Sequence, residues 1–232
     1  MNKLIVANWK LNPMTAREAT DLARKINQVS KHEVVICPPI AFLEVVEVMH
    51  KGGQDVSFQI KGAYTGQISA AQLASLNVKY CIVGHSERRS FGDTDELINL
   101  KIKALLDYKI VPILCIGYGT TVDQDELEVT DVLASQLRQD LDEIDPKKVI
   151  VAYEPVWAIS NGNPYSTKKV ATPEHAEQIA LYIHTKFGVK SVLYGGSVNS
   201  TNSESYLSQH HIDGLLVGGA SLLPDDFNKI IS

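Results

Sequence analysis

Val149-Ile150-Val151-Ala152-Tyr153, then a polar interval, then helically spaced residues over 173–186, then Ser191-Val192-Leu193-Tyr194: this stretch reads as a strand, a crossover helix and a second strand. Both apolar runs are short and rich in β-branched residues, as strands buried on both faces of a parallel sheet are. The same rhythm continues in both directions. Further apolar runs occur at 4–7, 34–37, 56–58, 80–83, 111–115 and 215–217, and helical spacing recurs at 15–29, 95–106, 124–141 and 203–209. Several of these helical segments open with Thr, Asp or Ser, residues that cap helix N-termini. Eight strand–helix units predict an α/β fold, a single (β/α)8 barrel over residues 1–232 with eight parallel strands and the helices outside. Periodicity alone also accommodates an open, doubly wound sheet.

Composition narrows the class. The 232 residues are 44% hydrophobic and 21% charged, which is ordinary globular usage. The formal net charge is -5 and no basic run stands out, so neither nucleic acid nor an acidic membrane surface is an expected partner. Cys37, Cys81 and Cys115 each sit inside an apolar run rather than at metal-ligand spacing, and read as buried reduced thiols. The apolar stretch at the start, Leu4-Ile5-Val6-Ala7, is too short for a signal peptide. A cytoplasmic location is therefore expected.

In a parallel barrel the chemistry lies just beyond the C-terminal ends of the strands. Asn8-Trp9-Lys10 follows the first run, Gly84-His85-Ser86-Glu87-Arg88-Arg89 the fourth, and Glu154-Pro155-Val156-Trp157-Ala158-Ile159 the sixth. Tyr194-Gly195-Gly196-Ser197-Val198 lies at the end of the seventh, and Val217-Gly218-Gly219-Ala220-Ser221 at the end of the eighth. Taken singly, Lys10 reads as a solvated lysine, His85 as a satisfied structural histidine, and the glycine pairs as tight turns. Glu154 reads equally as a structural carboxylate with a positive partner or as a base, because burial makes a carboxylate a stronger base suited to proton abstraction from carbon. The glycine pairs after the last two strands match the usual phosphate position of such barrels, where backbone N–H groups face the anion. All these segments converge on one mouth if the sheet closes.

These segments, together with Gly62-Ala63-Tyr64-Thr65-Gly66, resemble the triosephosphate isomerase family, in the same order and over the whole chain. The resemblance implies an isomerase that interconverts dihydroxyacetone phosphate and D-glyceraldehyde 3-phosphate through an enediol(ate), without cofactor or metal. It implies Glu154 as the base, His85 as the group that polarises the carbonyl, and Lys10 and Asn8 as stabilisers of the developing charge, with Glu87 beside Lys10. It further implies phosphate binding by backbone groups near Ser160, Ser197, Gly218 and Gly219. Pro155, Val156, Trp157, Ala158 and Ile159 would lead into a lid latched by Tyr194, and the loop from Gly62 to Gly66 would pair the chain into a homodimer.

The chain also departs from the family's pattern. Ser160-Asn161-Gly162 replaces a Gly-Thr-Gly stretch, and the residues after it resemble an insertion, so that the lid runs over 160–170. Tyr118 stands where a glutamate is typical, Gln67 where a glutamate is common, and the segments between Gln59 and Gly62 and after Phe187 are trimmed. Two rival functions remain on these residues: another phosphosugar enzyme, such as an aldolase using Lys10 as a Schiff-base nucleophile, or a non-catalytic phosphate-binding barrel.

Overall fold

A computed structural model of the chain describes residues 2–26, 29–159 and 170–232. Eight strands form one closed barrel in sequence order: β1 (Leu4–Asn8), β2 (Glu33–Cys37), β3 (His50–Gly53), β4 (Val78–Val83), β5 (Val111–Ile116), β6 (Ile150–Tyr153), β7 (Ser191–Tyr194) and β8 (Gly214–Val217). Every pairing is parallel, and β1 closes the ring by pairing Leu4 with Gly214 on β8 and with Glu33 on β2. The expected barrel is therefore present.

Alternation along each strand splits the apolar residues into two cores. Leu4, Val6, Val35, Cys37, Ile82, Ile113, Cys115, Ala152, Leu193 and Leu216 pack together inside the barrel. Ile5, Ala7, Ile36, Val83, Leu114 and Val151 pack outward, with the helices' Ala19, Ile98, Leu133 and Ile179 among them. Two buried faces explain why the strands read as continuous apolar runs. The three cysteines are buried and free.

The helices are α1 (Ala16–Lys25), α2 (Ala70–Ser75), α3 (Ser86–Ser90), α4 (Asp95–Asp107), α5 (Glu126–Asp140), α6 (Pro173–Phe187), α7 (Ser203–Leu207) and α8 (Pro224–Ile231). Thr15 with Glu18, and Asp125 with Glu128, form reciprocal capping boxes at the starts of α1 and α5, each cap being worth about 1 kcal/mol. Among the described residues, no helix is long and apolar enough to cross a membrane.

Two expectations need correction. The third strand is His50–Gly53 rather than 56–58; Val56 is buried just beyond it, and Ser57 makes only an isolated bridge to Ser69. Bulk selects this strand, not hydrophobicity: a Cβ at Gly52 would overlap Cys37 Sγ, and one at Gly53 would lie 2.9 Å from Cys81 Sγ. The glycines let β3 run between the Cys37 thiol inside the barrel and the Cys81 thiol on its helix-facing side. The second unit also lacks its outer α-helix, because only a 3-10 turn at Ile40–Phe42 covers the passage from β2 to β3.

At the opposite end from the strand C-termini, one histidine ties α6 to β8. His184 Nδ1 lies 2.8 Å from the Val189 carbonyl and Nε2 lies 2.9 Å from the His211 carbonyl, with Asp213 Oδ2 at 3.2 Å. Carbonyls only accept, so both ring nitrogens carry protons and the ring is an imidazolium. The Asp213 hydrogen bond, helped by the two carbonyls, outweighs burial and raises its pKa to about 9 from 6.5. The folded value exceeds the unfolded one, so this contribution to stability is complete below 6.5 and is lost as pH rises through about 9. Thermal midpoints measured at about pH 6 and about pH 10 should fall further in the wild type than in His184→Gln. Parallel pH profiles for the two proteins would refute the assignment.

Candidate active site

Asn8 ends β1, and the chain turns sharply after it. Lys10 has φ +53°, a left-handed conformation uncommon for any residue but glycine. Three hydrogen bonds hold it there: Lys10 N donates to Asn8 Oδ1 at 3.0 Å, and Gln54 Nε2 donates to the carbonyls of Lys10 and Cys37 at 2.8 and 2.9 Å. The turn brings Lys10 Nζ to 2.6 Å from Glu87 Oε1. Partial burial opposes charge on Glu87, but the Lys10 ammonium more than offsets it and lowers the carboxyl pKa.

His85 follows Gly84, whose φ of +69° suits glycine and where a Cβ would sit 3.1 Å from the Cys115 carbonyl. His85 is the N-cap of α3, and its Nδ1 accepts from the Glu87 amide at 3.2 Å. An amide only donates, so Nδ1 is unprotonated and the ring's proton sits on Nε2. That nitrogen lies 3.2 Å from Glu154 Oε1. Ser86 N approaches the other carboxylate oxygen at 3.4 Å. His85 is 5% and Glu154 3% exposed, so little water competes for the contact between them.

Glu154 comes directly after β6, with its amide bonded to the Ile116 carbonyl at 2.8 Å. A Cβ at Gly195 would lie 2.8 Å from Glu154 Cγ, so glycine there leaves room for the carboxylate arm. Asn8, Lys10, His85, Glu154, Ile159, Ser197, Gly218 and Gly219 all line one cavity of about 250 Å³. Its carboxylate and imidazole face a wall built from the turns after β7 and β8. Glu87 stands outside this cavity, on Lys10. Among the described residues, no group of three or more His, Cys, Asp and Glu could hold a metal ion.

Val156–Ala158 form a 3-10 turn after Pro155. This turn is fastened to the neighbouring turn after β7, because Ser197 N donates to the Ala158 carbonyl at 2.9 Å. Tyr194 is buried beneath the wall and does not line the cavity. Trp157 Nε1 is buried without a hydrogen-bond partner among the described residues, whereas Tyr153 Oη meets His175 Nε2 at 3.0 Å, with the Trp157 ring 6.2 Å from that imidazole. Tyr118, in the position expected to lack a supporting carboxylate, is 41% exposed. Ser160 and positions 161–169 of the expected lid lie outside the described residues.

Several supporting residues escape sequence reasoning. Gln54 pins the Lys10 turn, and Gln136 clamps the turn after β5 by accepting from Gly117 N at 2.9 Å and donating to the Tyr118 carbonyl at 2.7 Å. Arg89 is buried under His85, bonded to the Gly84 carbonyl at 2.9 Å and to Asp140 at 2.6 Å, with Asp95 as a third partner. Lys101, almost fully buried, joins Asp55 and Asp93 at 2.7 and 2.5 Å. The Gly52-Gly53-Gln54 sequence offers the only local signal for any of these, a polar amide directly after a strand end.

A family model described as triosephosphate isomerase matches residues 3–232. The chain is 38% identical over 247 residues to the triosephosphate isomerase of Gloeothece citriformis, 40% over 244 to that of Mesomycoplasma hyorhinis, and 38% over 253 to that of Aquifex aeolicus. These alignments cover 99–100% of this chain and 97–99% of each relative. All are longer than the chain's 232 residues, so the relatives carry residues that it lacks. With similarity running from end to end on a barrel whose strand ends gather the matching side chains, the chain belongs to the triosephosphate isomerase family.

Proposed function

We propose that the chain interconverts dihydroxyacetone phosphate and D-glyceraldehyde 3-phosphate, with Glu154 as the base that carries a proton between adjacent carbons. The observation that supports this most is the 3.2 Å approach of His85 Nε2 to Glu154 Oε1 in one buried cavity with Lys10. Glu154 takes a proton from the carbon beside the carbonyl; the C–H pair becomes the new C=C bond, and the carbonyl π pair moves onto oxygen. The negative charge appearing on oxygen is met by the His85 Nε2–H and the Lys10 ammonium, with Asn8 beside them. Glu154 then returns its proton to the neighbouring carbon while His85 moves a proton between the two oxygens. No cofactor or metal enters the scheme. The phosphate lies against the amides of Gly218, Gly219 and Ser197, and the Ser197 amide must release the Ala158 carbonyl to receive it.

Lys10 as a Schiff-base nucleophile fits this setting poorly, since its Nζ is already engaged by the Glu87 carboxylate at 2.6 Å. A second copy of this chain is the macromolecular partner. Leu11 and Phe91, 90% and 83% exposed, edge a groove of about 400 Å³ shared with Lys10, Gln54 and Glu87, and the loop from Gly62 to Gly66 presents Tyr64 at 46% exposure. Exposed apolar groups that rim a groove mark an association surface.

A coupled assay should show Glu154→Ala lowering kcat by about a thousandfold, the scale of a lost general base, with the thermal midpoint little changed. Equal rates for the two proteins would end the isomerase reading. Gly195→Ala leaves every charge in place but pushes the base aside, and should lower kcat by about a hundredfold; an unchanged kcat would show that the carboxylate arm needs no such room. In sedimentation equilibrium the wild type should have twice the 25.5 kDa chain mass, and Phe91→Asp should shift it to the chain mass. A monomeric wild type would remove the partner assignment.

A further inference from the structure

Tyr206, on α7, belongs to no part of the proposed chemistry, yet it contacts two elements that shape the cavity. Its ring stacks on that of Tyr194 with centroids 4.2 Å apart and planes 14° from parallel. Its hydroxyl donates to the Ala171 carbonyl at 2.5 Å, immediately before Thr172, which caps α6. Both tyrosine rings are almost fully buried. The Tyr194 hydroxyl lies directly beneath Gly196, where a Cβ would overlap it. Burial, with the neighbouring Tyr206, pushes the Tyr194 pKa well up, so the phenol under the turn is neutral.

Gly196 and Ser197 line the same cavity as His85 and Glu154. Their backbone height over the barrel is set from below by Tyr194, and the tilt of Tyr194 is set by the flat stack of Tyr206. We propose that Tyr206 is a positioning residue, which holds the Gly196-Ser197 turn at the height that binds the substrate's phosphate group while anchoring the start of α6. The inference rests on the reading of that turn as part of the phosphate wall. Tyr206 touches no reacting atom, so its effect falls on binding shared by ground and transition states, and KM moves while kcat does not.

Tyr206→Phe keeps the stack and removes the hydroxyl, and Tyr206→Leu removes both. KM and kcat for dihydroxyacetone phosphate or glyceraldehyde 3-phosphate, the competitive inhibition constant of inorganic phosphate, and the thermal midpoint would be measured for both variants and the wild type. Tyr206→Leu should raise KM and the phosphate inhibition constant about tenfold with kcat within about threefold, and Tyr206→Phe should raise both about twofold to threefold, well below the melting range. If the midpoints fall while both constants stay at wild-type values, Tyr206 is structural only and the inference is overturned. Should Tyr206→Leu fail to fold, Tyr206→Phe decides alone, and unchanged constants overturn the inference. A wild type that phosphate does not inhibit competitively would remove the wall reading and this inference together, an outcome distinct from a normal wild type with silent variants.

Discussion

Closure of the sheet on itself is the constraint from which the site follows. At the seam, β8 passes so close to β1 that a Cβ on Gly214 would overlap the Leu4 carbonyl oxygen. Glycine at this position permits the approach. In an open sheet of the same strand order, the ends of β1 and β6 would be five strand spacings apart, roughly 24 Å. Curling the sheet into a ring instead sets Asn8 and Lys10 around the same 250 Å³ cavity as Glu154. The buried pairs Arg89–Asp140 and Lys101–Asp93 then fix the segment after β4, so that His85 enters that cavity from a third direction.

The sequence is legible where a signal is local and repeated. Runs such as Val111-Pro112-Ile113-Leu114-Cys115 announce strands because both faces are buried, and residues just after β1, β4, β6, β7 and β8 line the cavity. It misleads at β3, where His50-Lys51-Gly52-Gly53 contains no apolar residue beyond its glycines. The demand there is for smallness beside Cys37 and Cys81, a property of neighbours distant in sequence. Gln54, Gln136 and Tyr206 are hidden for the same reason: each hydrogen-bonds backbone 17 to 44 positions away, 18 or 19 for Gln136 and 35 for Tyr206, and no periodicity encodes such a pairing.

The Trp157 indole N–H has no acceptor among the described residues, while the Tyr153 hydroxyl meets His175. Burial lowers the pKa of His175, so the partner of Tyr153 is a neutral ring. The Ser197 amide is meanwhile occupied by the Ala158 carbonyl, and an arriving anion must displace one hydrogen bond to make its own. The missing helix between β2 and β3 lies on the outer face and leaves these contacts untouched.

The imidazole of residue 85 has only one nitrogen free to act. Its other nitrogen is occupied by the backbone of Glu87, so a proton leaving the ring has to be regained at the same corner. A relay that passes protons straight through, entering at one nitrogen and leaving at the other, is closed to it. In the proposed cycle, then, the carboxylate and the ring each end a turnover as they began it.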